Sequence, residues 1–417
     1  MTNNSQNTKA NYTTGGHKLP DNWLSRIVLI WGGNALSAIA GSAASFAGIW
    51  YVTESTGSPL YIAALYVLAF LPMGLLSPFG GVIADKYNRK AIIIICDTVL
   101  ALTGIGIAVW IALLGPSVES IMLFCASWGF ASAFRGPAFN ATMPFLVPER
   151  HLIRINSLDT LLGSISMIAA PALGILLYTA FGLQASIVLG GFGSLCAVLT
   201  MLLAKLPKLT TEEQTGVVKS LKEGIFALAE QKGLLVLTIG VSLGMFAYGP
   251  LDSLLPLMVN SQFGGDGFAA SLLAAIMGAG MLVGAVALMV VNPKTRLAHI
   301  IIGASIIVGA CAFIAGFIPK DNFPLFVFAI GVLAIACAWF NAPLMTLLQK
   351  NIPEEKLGRV MGLFTAMTGL AIPLGTAVGG VIAEIIGTPL FFSADGIFIL
   401  LIGASIALSK EVRKLSR

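Results

Sequence analysis

Five charged side chains interrupt long apolar runs in this chain: Asp97, Arg135, Asp252, Glu384 and Asp395. A charge at mid-membrane costs about 2.5–3.5 kcal/mol on insertion scales, so each one needs a partner, water or a function. Asp97 and Arg135 each sit about six residues inside their runs, measured from the Lys/Arg-rich flank; at ~1.5 Å per residue both lie roughly 10 Å deep. Matched depth in successive runs predicts that they pair, directly or through Asp85. The alternative is that each faces water independently. Asp252 belongs to Tyr248-Gly249-Pro250-Leu251-Asp252, where the helix is expected to be interrupted. A carboxylate in a partly dry cavity can exchange protons near neutral pH. Asp252 and Glu384 either do this or simply reach the outer headgroup layer.

The elements that position these groups follow from composition. The chain is 57% hydrophobic and 10% charged, with a mean hydropathy of +0.91. Soluble domains carry about 25% charged residues, so the solvent for this surface must be lipid. The 46 glycines fit close helix approach within a membrane. Cys96, Cys125, Cys196, Cys311 and Cys337 all fall inside apolar runs and read as core thiols, with no spacing for a disulfide framework or metal site. Residues 1–25 are polar and lack the apolar core of a cleavable signal peptide. His17, His151 and His299 lie in the tail or at run edges and read as loop residues.

Runs of roughly 20 apolar residues can cross a bilayer core of about 30 Å. Twelve such runs are expected between residues 26 and 409, as helices, because their apolar character is continuous instead of alternating. Of the 24 Lys and Arg, all but Lys320 and Arg135 fall in the tails or in every second break. The positive-inside rule then places both termini in the cytoplasm. Residues 205–232 are a charged linker whose amphipathic stretch Leu221–Leu228 reads as an interfacial helix. The expected organisation is a cytoplasmic tail (1–25), a first six-helix bundle (26–204), the linker (205–232), a second six-helix bundle (233–409) and a short tail (410–417).

The two bundles are related by a repeat. Pro148-Glu149-Arg150 and Pro353-Glu354-Glu355 stand in equivalent breaks about half a chain apart, and Gly174 and Phe181-Gly182 fall against Gly379 and Ile386-Gly387. An even number of crossings separates the copies, so the halves are parallel repeats about an axis along the membrane normal.

The break Gly80-Gly81-Val82-Ile83-Ala84-Asp85-Lys86-Tyr87-Asn88-Arg89-Lys90 resembles the signature loop of the major facilitator superfamily. Gly81 there allows close helix contact, and Asp85 and Arg89 can pair at four-residue spacing. With Lys90 they read as a conformational latch. Its second-half counterpart, Asn292-Pro293-Lys294-Thr295-Arg296, lacks the Gly and the Asp, so the latch is one-sided. Ala169-Ala170-Pro171-Ala172-Leu173-Gly174 looks like the antiporter motif of drug-exporting facilitators, and Pro373 and Gly379 form a related run. The stretch Phe134–Ala141, with Trp31–Ser37 and Ser220–Gly224, resembles the macrolide-efflux branch of bacterial drug/proton antiporters. One departure is Trp128, which stands where such antiporters often carry an Arg.

The resemblance implies an all-α membrane protein with twelve transmembrane helices in two parallel six-helix repeats. It implies a monomeric exporter in the bacterial inner membrane that exchanges protons for an amphipathic, macrolide-like small molecule. No cofactor, metal or nucleic acid is expected. In this fold the first, second, fourth and fifth spans and their counterparts line the cavity. That favours Asp252 and Glu384 over Asp395 as proton sites, with Asp97 and Arg135 as further coupling candidates. Asn34 and Tyr248 are candidates for the cavity wall; Asn34 bonds either substrate or a neighbouring helix. A carrier of a metabolite or siderophore is the main rival. A membrane enzyme would need a buried His or paired-acid cluster, a channel would not need the repeat and latch, and no P-loop supports direct use of ATP.

Overall fold

The computed structural model describes residues 13–14, 17–18, 23–142, 147, 149–204, 217–291 and 297–415. Thr13–Thr14 and His17–Lys18 form a short antiparallel ladder ahead of the first helix. The first half then comprises α1 (Trp23–Thr56), α2 (Pro59–Lys86), α3 (Arg89–Leu114), α4 (Val118–Thr142), α5 (Glu149–Phe181) and α6 (Leu183–Leu203). A short helix, α7 (Val217–Glu230), precedes the second half: α8 (Lys232–Phe263), α9 (Gly267–Val291), α10 (Leu297–Ala315), α11 (Phe323–Asn351), α12 (Glu354–Ile386) and α13 (Thr388–Leu408). The chain closes with α14 (Lys410–Leu415).

Eleven of these helices are long and apolar enough to cross a membrane. The twelfth expected span, α4, has its apolar run diluted by Ser120, Ser127, Ser132, Arg135 and Asn140. Large apolar side chains such as Leu113, Val290 and Leu401 point outward, as a lipid solvent allows. The helices run up to 34 residues, several residues beyond the apolar runs at either end.

Turn chemistry and small residues set the packing. Asn88 caps α3, its side chain accepting from the Lys90 and Ala91 amides. Gly182 and Gly387, at equivalent places in the two halves, end α5 and α12 with φ of +81° and +85°. A side chain is strained in that region, so glycine is required there. Within each half α1 packs on α5 and α8 on α12. A Cβ at Gly174 would strike the Ala43 carbonyl on α1, and one at Gly375 the Phe246 carbonyl on α8. The duplicated Pro/Gly runs are therefore helix–helix contacts in both halves.

The halves meet through α2 on α12 and α5 on α9. Their close glycine approaches, Gly74 to Gly369, Gly380 to Ala63, Gly278 to Ile168 and Gly267 to Ile175, all fall at mid-bundle or toward the end carrying the α1–α2 turn. That end is called here the far end; the one carrying the α2–α3 turn is the basic end.

The helix expected to break near Pro250 does not break. α8 runs unbroken from Lys232 to Phe263, with Pro250 and Pro256 inside it. Neighbouring helices can accommodate the carbonyls that a proline leaves free in a membrane helix.

Candidate functional site

A cavity of about 710 Å³ lies between the halves, walled by α1, α2, α4, α5, α8 and α9. It extends from Ile49, Leu65 and Ala270 toward Asn34, Asn140 and Leu162 near the basic end. The close contacts between halves seal it at the far end. Phe46, Tyr66, Phe70, Trp128 and Phe139 supply an aromatic wall. Phe70 joins it together, with ring centroids 5.8 Å from Tyr66 and 5.8 Å, edge-on, from Trp128. Tyr66 and Phe70 are four apart on α2, so helical spacing alone puts both on one face.

Arg135 on α4 enters the wall at the basic side. Its Nε donates to Asp97 Oδ1 on α3 at 2.5 Å, and its Nη2 donates to Asn34 Oδ1 on α1 at 2.8 Å. The guanidinium also lies 5.8 Å from the Phe139 ring centroid. Three helices are thus tied at one point, and the charge is neutralised where water is scarce. Asp97 is fully buried behind the cavity wall, and its Oδ2 has no hydrogen-bond partner. The pair is direct; the Asp85 side chain lies outside the described residues.

Asp252 on α8 lines the cavity from the second half. Among the described lining residues it is the one carboxylate, and Arg135 is the one cation. The Tyr248 hydroxyl, one turn back, donates to Asp252 Oδ1 at 3.3 Å. Tyr248 stands behind the acid, in a smaller cavity of about 60 Å³ with Met245, Cys337 and Ile399, and not in the main wall. Tyr248 and Asp252 are four apart and share one side of α8, but the phenol reaches past the acid into the contact with α11 and α13. A further polar group was not legible in the sequence: Ser166 on α5 lines the cavity with 8% exposure, and its hydroxyl has no partner. A lone serine in an apolar run gives no sequence signal.

Glu384 lies outside the cavity lining, at the far end. Its Oε2 accepts from the Ser58 hydroxyl at 2.7 Å and the Leu60 amide at 3.2 Å. The N-cap residue Ser58 makes no capping bond of its own, so a carboxylate from the second half caps a helix of the first. Asp395, on α13, is buried away from the cavity.

At the basic end, Arg89 donates to the carbonyls of Ala84 at 3.0 Å and Ala141 at 2.7 Å, and Lys90 Nζ to those of Leu202 at 3.0 Å and Ala204 at 2.6 Å. These bonds tie the ends of α2, α4 and α6 within one half. The expected close contact at Gly81 is absent: a Cβ there would meet nothing within 4 Å, whereas one at Gly80 would strike the Ala133 carbonyl. The reason is register: Gly80 faces α4, and Gly81 faces open space. The break at 292–296 lies outside the described residues. Pro171 lines the cavity on α5, Pro373 is buried within α12, and Gly379 packs against Pro250.

Comparison with known proteins adds names to this geometry. The chain is 30% identical over 398 residues to macrolide efflux protein A of Streptococcus pyogenes, covering 95% of this chain and 98% of that protein. It is 27% identical over 340 residues to the enterobactin exporter EntS of Salmonella typhimurium, covering 79% and 78%. The fold is similar to that of the nucleoside transporter NupG, with a TM-score of 0.68 at 18% identity over 93% of this chain and 98% of that one. Residues 25–417 match the family described as transmembrane secretion effector. With a multi-pass helical architecture and a small-molecule cavity between its halves, the chain belongs to that family of membrane transporters, within the major facilitator superfamily.

Proposed function

We propose that this transporter exports amphipathic, macrolide-like drugs in exchange for protons, as a monomer in the bacterial cell membrane with both termini in the cytoplasm. The observation that carries the reading is Asp252. It stands in an apolar, aromatic cavity between the halves with the Tyr248 phenol beside it, and Arg135, the one cation among the described lining residues, is already balanced by Asp97. A carboxylate so placed can bind a proton from one side of the membrane and release it to the other as access alternates.

The positive-inside reading makes the basic end cytoplasmic, so the cavity is in its inward-facing form, ready to load cargo from the cell. Two contacts bear on the switch. Glu384 holds the far end shut through Ser58 and Leu60. The latch of Gly81, Asp85, Arg89 and Lys90 engages the other half when the basic end closes, which fits the open space beside Gly81. Arg135 and Asp97 form a second coupling point: Asp97 keeps one oxygen unpartnered, and Arg135 links it to the cavity. Residues 205–232 tether the halves, and α7 lies against α12, its buried face flanked by the ion pairs Glu223–Arg359 at 2.8 Å and Glu230–Lys356 at 2.9 Å.

The test is drug accumulation in energised cells, with and without a protonophore, across macrolides, tetracyclines and dyes. Wild-type cells should accumulate less drug, and the protonophore should remove the difference. Asp252→Asn should express normally yet lose gradient-driven export; unchanged energised export by that variant rules Asp252 out. Similarity to an enterobactin exporter favours a second reading, export of a siderophore such as enterobactin. Including such a siderophore in the same assay decides between them.

A further inference from the structure

From the outer side of α7 we infer a lipid-docking surface: the helix lies along the headgroup layer at the basic end and binds anionic phospholipid through Lys222, with Ile225 and Phe226 at the acyl boundary. That side lies outside the cavity lining, so its role does not depend on the cargo.

Depth comes first. Gly224 packs on the Arg359 carbonyl and on Leu363 of α12. Arg359 is the last charge before the uncharged run 360–383. α7 ends at Glu230, and Lys232 opens α8 directly before the uncharged run 233–251. The helix therefore sits where two spans enter the apolar layer. Glu223 and Glu230 are two turns apart on α7, yet they pair with Arg359 and Lys356, which fall within one turn of α12. α7 thus crosses α12, and a helix crossing a span at its entry lies along the bilayer surface.

The chemistry of the outer side matches that place. Gly224, Ala227 and Leu228 are the buried side. Ile225 and Phe226 are 52% and 61% exposed. Acyl chains would cover this apolar pair, which the protein leaves bare. Lys222 is exposed, has no ion pair among the described residues and lies one turn before both. Its stem can follow the apolar pair while its ammonium reaches a phosphate. Lys219 precedes it by a further three positions on α7. Both acids of α7, Glu223 and Glu230, are engaged by α12, which leaves the helix a positive outer side. Residues 205–216 lie outside the described residues and hold two Lys and two Glu, so they add no net charge. Basic and apolar groups side by side favour an anionic phospholipid over a zwitterionic one. Because α7 also touches α2, a lipid held there lies beside the α2–α12 seam.

The experiment uses the full-length protein with its five native cysteines replaced and Ala229→Cys, an exposed position of α7, carrying a bimane label. It is reconstituted in phosphatidylcholine vesicles containing, at equal mole fraction, phosphatidylglycerol or phosphatidylcholine with a nitroxide near the top of the acyl chain. Both lipids should quench the label, the phosphatidylglycerol at least about threefold more strongly. High salt should shrink that ratio. Lys219→Gln/Lys222→Gln should bring it to about one, whereas Lys350→Gln, on α11 at the same end, should leave it unchanged. Ile225→Gln/Phe226→Gln should weaken quenching by both lipids. Equal quenching by the two lipids overturns the inference, and so does a preference that survives the double lysine change. No quenching by either also overturns it: a water-exposed label means that the helix faces the aqueous phase, and a shielded, blue-shifted one means that a second copy covers it. Transport is not read in this assay, so the result leaves the export reading untouched.

Discussion

Arg135 shows how a membrane protein keeps a cation where a bare one would be expelled. Its guanidinium binds Asp97, Asn34 and the face of Phe139, so helices α1, α3 and α4 share one charged knot. Removing one partner of a buried pair costs about 3–5 kcal/mol, because the other is left uncompensated. Asp97→Asn and Arg135→Gln should each lower stability in equilibrium unfolding from mixed micelles. The double variant should be milder than the sum by about 1–3 kcal/mol. Strict additivity in that cycle would mean that the two charges act alone. Arg135→Lys should not rescue, since one ammonium cannot reproduce the planar fork that reaches both Asp97 and Asn34.

In the proposed function, helix ends and helix contacts carry the switch. The first helix turn of α2 is capped from across the interface by Glu384, which pins the far end of one half to the other. Losing a cap costs about 1 kcal/mol, or roughly a fivefold population shift. Glu384→Ala should therefore enrich the state open at the far end, seen as longer spin-label distances between the far ends of α2 and α12. An unchanged distance distribution would remove the gating role. The glycines divide by what they face. Gly375→Ala would push a methyl into the Phe246 carbonyl and should cost about 1–3 kcal/mol of stability. Gly81→Leu meets open space here and should change stability by less than about 0.5 kcal/mol. It should nonetheless slow transport, because the basic end must close over that position; transport at the wild-type rate would exclude Gly81 from the latch. At the linker, Gly224, Ala227 and Leu228 dock α7 on its neighbours by burial, since exposed ion pairs such as Glu230–Lys356 contribute little.

For the whole molecule, the two halves are in contact along α2–α12 and α5–α9. The proposed alternation of access requires those seams to part. Gly74 and Gly369 approach each other within the first seam. In a background with the five native cysteines replaced, a Gly74→Cys/Gly369→Cys pair bridged by a short thiol cross-linker should stop transport, and a reductant should restore it. Transport that continues through the cross-link would mean that the seam need not open.

The sequence determined the solvent, the span count, the repeat and the family, because each is written in many residues at once. Apolar runs, alternating basic breaks and the Gly/Asp/Arg-Lys loop are redundant signals, and losing any one of them changes nothing. It also placed Asp97 and Arg135 at one depth, because depth along a helix is a matter of counting. Only the tertiary structure decided which faces look inward. A one-residue change turns a helical side chain by about 100°, enough to exchange cavity, neighbour and lipid. That is why Gly80 packs and Gly81 does not, whereas the neighbours packed around α8 and α12 decide that Asp252 reaches the cavity with Tyr248 behind it and that Glu384 caps a distant helix. Ser166 became visible only when five other helices closed around it, since an orphaned hydroxyl is a property of its surroundings and not of its letter in the chain.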